Sequence, residues 1–180
     1  IVMKKEVSST IGVMTFKEYR KFMNAPHRMD LMISSMEKNG CWNCNQKCLH
    51  CYASGEKLSK VEELTTNEWK QIIDNLKEAM VPQITFTGGE PTVRKDLVEL
   101  VDHAKWFITR LNTNGILLTK ELCKELYNAS LDSVQVTLYS SNEEEHNTLV
   151  GANHFTDTVQ GIKNAIKSGL KLVDCPIRHL

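Results

Sequence analysis

Cys44, Cys48 and Cys51 stand at i, i+4 and i+7 with Cys41 just ahead of them, so most of the chain's six cysteines crowd into one short segment. Disulfides between such near neighbours would close tiny loops and remove little entropy from the unfolded chain. The crowding therefore points to metal. Two thiolate chemistries are compatible with it, a four-thiolate zinc site and an iron–sulfur cluster. A zinc ribbon separates its two Cys-x-x-Cys knuckles by roughly 15–20 residues, so that each can fold its own turn. Here only Asn45, Gln46 and Lys47 lie between Cys44 and Cys48. The irons of a cubane sit close together and each accepts one thiolate, which suits several cysteines from one tight segment. Three such ligands would leave the fourth iron open to a small molecule. Spacing favours the cluster and leaves zinc as the alternative.

Other chemistry-bearing residues follow in short polar runs. Gly88 and Gly89 lack side chains and would let the backbone approach a ligand closely, and Glu90 places a carboxylate where it could hold an ammonium group. Asn112, Thr113, Thr137 and Ser140 are short and polar, suited to hydroxyl and carboxylate groups such as those of a nucleoside. The ligand these residues imply has an amino-acid part and a sugar part.

Positioning these residues falls to an alternating pattern of elements. A strand is expected over 29–35, ahead of the cysteine loop. Thr66 should then cap a helix whose Trp69, Ile72, Ile73, Leu76 and Met80 form one apolar face. Strands are expected over 83–87, 107–112 and 133–139, alternating with helices over 95–104, 119–129 and 155–168, and a last strand from Lys171. Repeated βα units imply a parallel sheet, in which chemistry gathers at the carboxyl ends of the strands. The cysteines, Gly88-Gly89-Glu90-Pro91, the 112–115 run and the 137–140 run each follow a strand, so all four loops should open on one face. Residues 1–28 read as a separate helical segment, with 29–180 as the core.

Composition bounds the partners. The chain has 180 residues, 41% of them hydrophobic, enough for one sizeable core, and 22 basic residues balance 22 acidic ones. No basic excess advertises nucleic acid, and no long apolar run or secretory leader advertises a membrane or export. A cytoplasmic protein is the expectation.

The order Cys44-x-x-x-Cys48-x-x-Cys51-Tyr52 followed by Thr87-Gly88-Gly89-Glu90-Pro91 resembles the radical S-adenosylmethionine (radical SAM) enzymes. The βα alternation is similar to their partial (β/α) barrel. The resemblance implies a [4Fe–4S] cluster on Cys44, Cys48 and Cys51, with S-adenosyl-L-methionine on the open iron. It implies cofactor contacts from His50 near the adenine, from Gly88, Gly89 and Glu90 near the methionine amino group, and from Asn112 and Thr137 at strand ends. By the same resemblance an electron from a flavodoxin- or ferredoxin-like reductant drives carbon–sulfur cleavage, and the resulting radical abstracts a hydrogen atom from substrate. The run from Leu138-Tyr139-Ser140 through His146 to Gly151 resembles the branch that matures peptides or sulfatases or builds cofactors such as molybdopterin. A peptide substrate is therefore favoured. A non-catalytic zinc- or cluster-binding module, or an inactive fragment, is the competing expectation.

A six-unit barrel would need roughly 190 residues at the ~31 per unit of an eight-unit barrel. Residues 29–180 fall short of that, so an incomplete barrel of four to five βα units is expected, a fragment or a chain completed by another protomer. Bland roles are expected for the rest. Cys41 and Cys175 read as bystanders, Cys123 as a small buried residue, and His103 and His154 as packing or surface groups. Glu143-Glu144-Glu145 reads as a solvated helix start, and Gly115 and Gly169 as turn or helix-ending glycines. Arg94 is ambiguous between a ligand carboxylate and a surface ion pair.

Overall fold

The structure, a computed structural model, describes residues 25–34, 43–51 and 62–173. The expected N-terminal helix, Cys41, Tyr52 and Cys175 lie outside the described residues. Five strands pair in parallel in sequence order: β1 (Met29–Ser34), β2 (Gln83–Gly88), β3 (Ile108–Thr113), β4 (Ser133–Val136) and β5 (Lys171–Leu172). Between them run α1 (Thr66–Glu78), a 3₁₀ turn at Pro91–Val93, α2 (Leu97–His103), α3 (Lys120–Asn128), α4 (Glu143–Val150) and α5 (Phe155–Ser168). This is the expected α/β architecture, with α5 bounded as its apolar periodicity predicts.

Alternation along the strands sorts the two faces. Ile84, Phe86, Leu111, Val134 and Val136 are buried and share one core with Ile73 of α1, Leu97, Leu100 and Val101 of α2, Leu126 of α3 and Ala165 of α5. The residues between them on the strands, Thr85, Arg110, Asn112 and Gln135, belong to the opposite, polar face, with Thr85 in register with Arg110 and Asn112 with Gln135.

Local chemistry explains where the elements differ from expectation. The cap of α1 is Thr65 rather than Thr66: its side chain accepts from the Glu68 N–H, and the Glu68 carboxylate accepts from the Thr65 N–H. The Thr66 hydroxyl instead donates to Asp96 Oδ2 at 2.6 Å. Met80 leaves the apolar face, because the chain turns after Ala79; Met80 takes φ 59° and is 65% exposed. Strand β4 stops at Val136, short of 139, and 137–140 turn toward α4. That helix starts as expected at Glu143, with Asn142 as its cap and three glutamates where the helix dipole favours negative charge. Among the described residues no helix is long and apolar enough to cross a membrane.

Candidate functional site

The cysteine loop sits over the carboxyl ends of β2, β3 and β4. Cys44, Cys48 and Cys51 are all half-buried and none is in a disulfide. The Gln46 N–H donates to Cys44 Sγ at 3.5 Å, and the Cys51 N–H donates to the Cys48 carbonyl at 3.1 Å, closing a turn between two of the thiols. Burial pushes the Cys48 thiol up to about 11, with Cys44 and Cys51 adding to the shift. Cys44 is also raised, by burial first and then by the charges of Glu90 and Cys51.

Glycines let β1 and the cysteine loop close onto the end of β2. Gly88 takes φ 145°, and a side-chain carbon there would lie 2.5 Å from Ser34 Oγ. A carbon on Gly89 would lie 2.5 Å from the Asn43 carbonyl oxygen. That same carbonyl accepts from the Glu90 N–H at 2.9 Å, and the Gly89 N–H donates to the Ser34 carbonyl at 2.8 Å. Part of the closeness expected for a ligand is thus used by the protein's own loop.

Glu90 is 1% exposed and its carboxylate turns inward. One oxygen accepts from the Thr92 N–H (3.0 Å), the Thr92 hydroxyl (2.5 Å) and the Thr113 hydroxyl (2.6 Å); the other accepts from the Asn114 N–H (2.7 Å). Burial raises this carboxyl, while the donors from Asn114, Thr113 and Thr92 pull the other way. The second oxygen holds that one donor and keeps a lone pair for another. Both oxygens are engaged in joining the end of β2 to the end of β3.

Beyond β3, Asn114 carries the tie onward. Its Nδ2 donates to Asn45 Oδ1 of the cysteine loop at 2.6 Å, and its carbonyl accepts from the Thr158 hydroxyl of α5 at 3.0 Å. Asn112 keeps a buried Oδ1 with no hydrogen-bond partner, an acceptor site left open at the strand end. Thr137 lies just past β4, its N–H donating to the Thr113 carbonyl at 3.1 Å. The hydroxyls of Thr113 and Ser140 are not open to a ligand as expected. Thr113 serves Glu90, and Ser140 donates to Glu145 and accepts from the Asn142 N–H at the start of α4.

His50 is exposed and packs edge-on against Tyr139, ring centres 4.3 Å apart. Behind Tyr139 stands His146, fully buried, whose Nδ1 accepts from the Tyr139 N–H at 3.3 Å. Burial and then the nearby His154 lower the pKa of His146.

Arg94 is neither free for a ligand nor a surface pair. It grips Asp96 with two nitrogens at 2.8 and 2.6 Å and donates to the Ile33 and Leu64 carbonyls, binding the end of β1 to the start of α2. Burial works to raise the Asp96 carboxyl, but the hydrogen bonds from Arg94 and Thr66 and the Arg94 charge outweigh it and hold it low. Cys123 is fully buried, and burial pushes its thiol up to about 11. Sequence reasoning passed over Asn45, Asn114, His146 and Gly151 as site residues. Asn114 lay in a strand-end run already singled out, but nothing local tells a turn asparagine from a cross-loop donor.

Residues 43–177 match the family model described as the Radical SAM superfamily. Among curated relatives, the Fe-coproporphyrin III synthase of Methanosarcina barkeri is 37% identical over 137 residues, covering 73% of this chain and 34% of the relative. The PqqA peptide cyclase of Bradyrhizobium diazoefficiens is 39% identical over 131 residues, covering 72% of this chain and 32% of the relative. The chain thus spans about a third of the length of these curated relatives. Among solved structures, Streptococcus suis SuiB bound to its precursor peptide SuiA superposes with a TM-score of 0.69 at 18% identity, over 86% of this chain and 33% of that one. This last likeness is one of fold.

Proposed function

Because the chain belongs to the radical SAM superfamily, we propose that Cys44, Cys48 and Cys51 hold a [4Fe–4S] cluster that works with S-adenosyl-L-methionine on a peptide. The observation that carries this is the docking of one three-cysteine loop on the Gly89–Glu90 segment, on Asn114 and on Tyr139 together.

The donor set fits the group. Among the described residues no three His, Cys, Asp or Glu side chains converge as ligands of a single ion would. A cubane does not ask for that convergence, since each thiolate meets a different iron. Burial raises the Cys44 and Cys48 thiols, so ligation by thiolates calls for a cationic partner that offsets that cost.

When bound, the cluster and S-adenosyl-L-methionine supply one-electron reductive carbon–sulfur cleavage and the hydrogen abstraction that follows. The chain's own residues then bind and orient. Gly88 and Gly89 expose backbone to the methionine end of the cofactor, and Glu90 sets the path of that backbone while its less occupied oxygen serves the ammonium group. Asn112, with its open acceptor, and Thr137 take polar groups of the nucleoside end. His50, steadied by Tyr139, offers a ring face beside the adenine. A flavodoxin- or ferredoxin-like protein delivers the electron. Support for a peptide comes from the PqqA peptide cyclase and from SuiB with its precursor peptide.

Anaerobic reconstitution with iron and sulfide, reduction, and measurement of 5′-deoxyadenosine beside iron content tests the proposal. Iron uptake with deoxyadenosine release is expected, lost in Cys48→Ala while Cys123→Ala keeps its iron. Zinc uptake in place of iron, or equal iron in Cys48→Ala, would refute it. Deuterium transfer from backbone-deuterated peptides into 5′-deoxyadenosine tests the substrate class; no transfer from any peptide would remove it.

A further inference from the structure

We infer that the C-terminal end of α4 is the seat of the cysteine loop, and that Gly151 is a positioning residue for the cluster. The inference rests on the reading that this loop holds the cluster. The last carbonyls of a helix have no partner within it. Those of α4 find theirs in the loop: the Lys47 N–H donates to the Val150 carbonyl at 3.1 Å, and the Leu49 N–H to the Leu149 carbonyl at 2.9 Å. Lys47 and Leu49 flank Cys48 on either side, so the middle cysteine is held between two anchored neighbours.

Gly151 makes that contact possible twice over. It ends α4 with φ 66°, a conformation side chains resist, and a side-chain carbon on it would lie 2.8 Å from the Lys47 carbonyl oxygen. The loop backbone therefore occupies the space that a side chain would fill.

The rest of α4 is braced so that its end can serve as a reference point. Asn142 caps its start, and His146 accepts from the Tyr139 backbone at the exit of β4. Asn147 Oδ1 accepts from the His154 and Phe155 N–H groups at 2.9 Å each, tying α4 to the start of α5. Tyr139, fixed by this bracing, packs against His50, the residue before Cys51. The helix thus spans from the sheet to the loop.

A matched control exists within the chain. Gly169 ends α5 at φ 88°, with the same left-handed strain, but a carbon on it would meet the Tyr127 ring at 3.3 Å and no part of the cysteine loop. Gly151→Ala and Gly169→Ala should both lower the urea midpoint of the apo chain. After reconstitution, only Gly151→Ala should release iron to a chelator faster, roughly tenfold, the scale of one lost backbone hydrogen bond, and alter the paramagnetic resonance spectrum of the reduced cluster. If Gly151→Ala does not fold, Gly151→Asn gives the same readout, since asparagine tolerates left-handed backbone while still carrying a side-chain carbon. Equal iron release and unchanged spectra in the two glycine variants, with a wild-type chain that loads iron, would overturn this inference alone. A wild-type chain that takes up no iron would overturn the cluster reading and this inference with it.

Discussion

On the side of β2 and β3 the cysteine loop is bonded to strand ends organised by a buried carboxylate, whereas on the side of α4 it rests against the bare end of a helix. The first support depends on side-chain chemistry: Glu90 gathers donors from Thr92, Thr113 and Asn114, and Asn114 reaches Asn45 in the loop. The second depends on backbone and shape, with two amide–carbonyl bonds and a glycine whose absent side chain leaves room. The difference teaches how each should fail. Removing a partner from the first leaves buried polar groups unsatisfied, which is costly to the whole fold. Adding an atom to the second displaces the loop while most of the fold survives.

The largest effect on stability should come from Glu90→Ala. It strips the acceptor from the Thr92 and Asn114 N–H groups and from two hydroxyls. The hydroxyls can rotate to other acceptors but the two N–H groups cannot, so at roughly 1–3 kcal/mol for each buried donor left unpaired a loss of about 2–6 kcal/mol in urea unfolding is expected. A loss under about 1 kcal/mol would break the contrast between the two sides.

Thr113→Val should cost less, about 2 kcal/mol, because it removes one donor to Glu90 and the acceptor of the Gly115 N–H while keeping the shape. A double-mutant cycle with Glu90→Ala should then show strong coupling between the two positions. Additive effects would mean that the carboxylate and the hydroxyl do not act as one unit.

The smallest effect, about 1 kcal/mol at neutral pH, is expected for His146→Phe on the α4 side, where only the acceptor of the Tyr139 N–H is lost. Its pH dependence sharpens the comparison. His146 is lowered in the fold from its ordinary 6.5, by burial first and then by His154. Between the lowered value and 6.5 the unfolded chain holds more protons than the folded one, so stability is full above about 6.5 and falls as pH drops through that window. In His146→Phe that acid slope should flatten. An unchanged slope in urea midpoints between neutral and mildly acid pH would show that other groups carry it.

Much of the fold was legible because it rests on periodicity. Apolar spacing placed α5 over 155–168 and each strand of the sheet to within a few residues, and the loops opened on one face as parallel βα units require. The cysteine spacing and the Gly88-Gly89-Glu90 run were legible as chemistry, since residue type and local spacing are what thiolate ligation and close backbone approach demand. Which polar group serves which partner was not. Glu90 looked like a ligand-binding charge and Arg94 like either that or a surface ion pair, yet each is engaged by neighbours from other elements, Arg94 by Asp96 and the Ile33 carbonyl, Glu90 by the loop beyond β3.

By itself, then, the sequence determined that this chain alternates strands and helices and carries a three-cysteine loop ahead of a double-glycine turn, because those properties are local and repeat at short spacing. Only the tertiary structure decided that the end of α4 and the 44–51 loop, about a hundred positions apart in the chain, share one set of backbone hydrogen bonds. It also decided that the Glu90 carboxylate turns inward. The physical reason is that a hydrogen bond satisfies whichever buried donor lies nearest in space, and nearness in space between distant segments is set by packing.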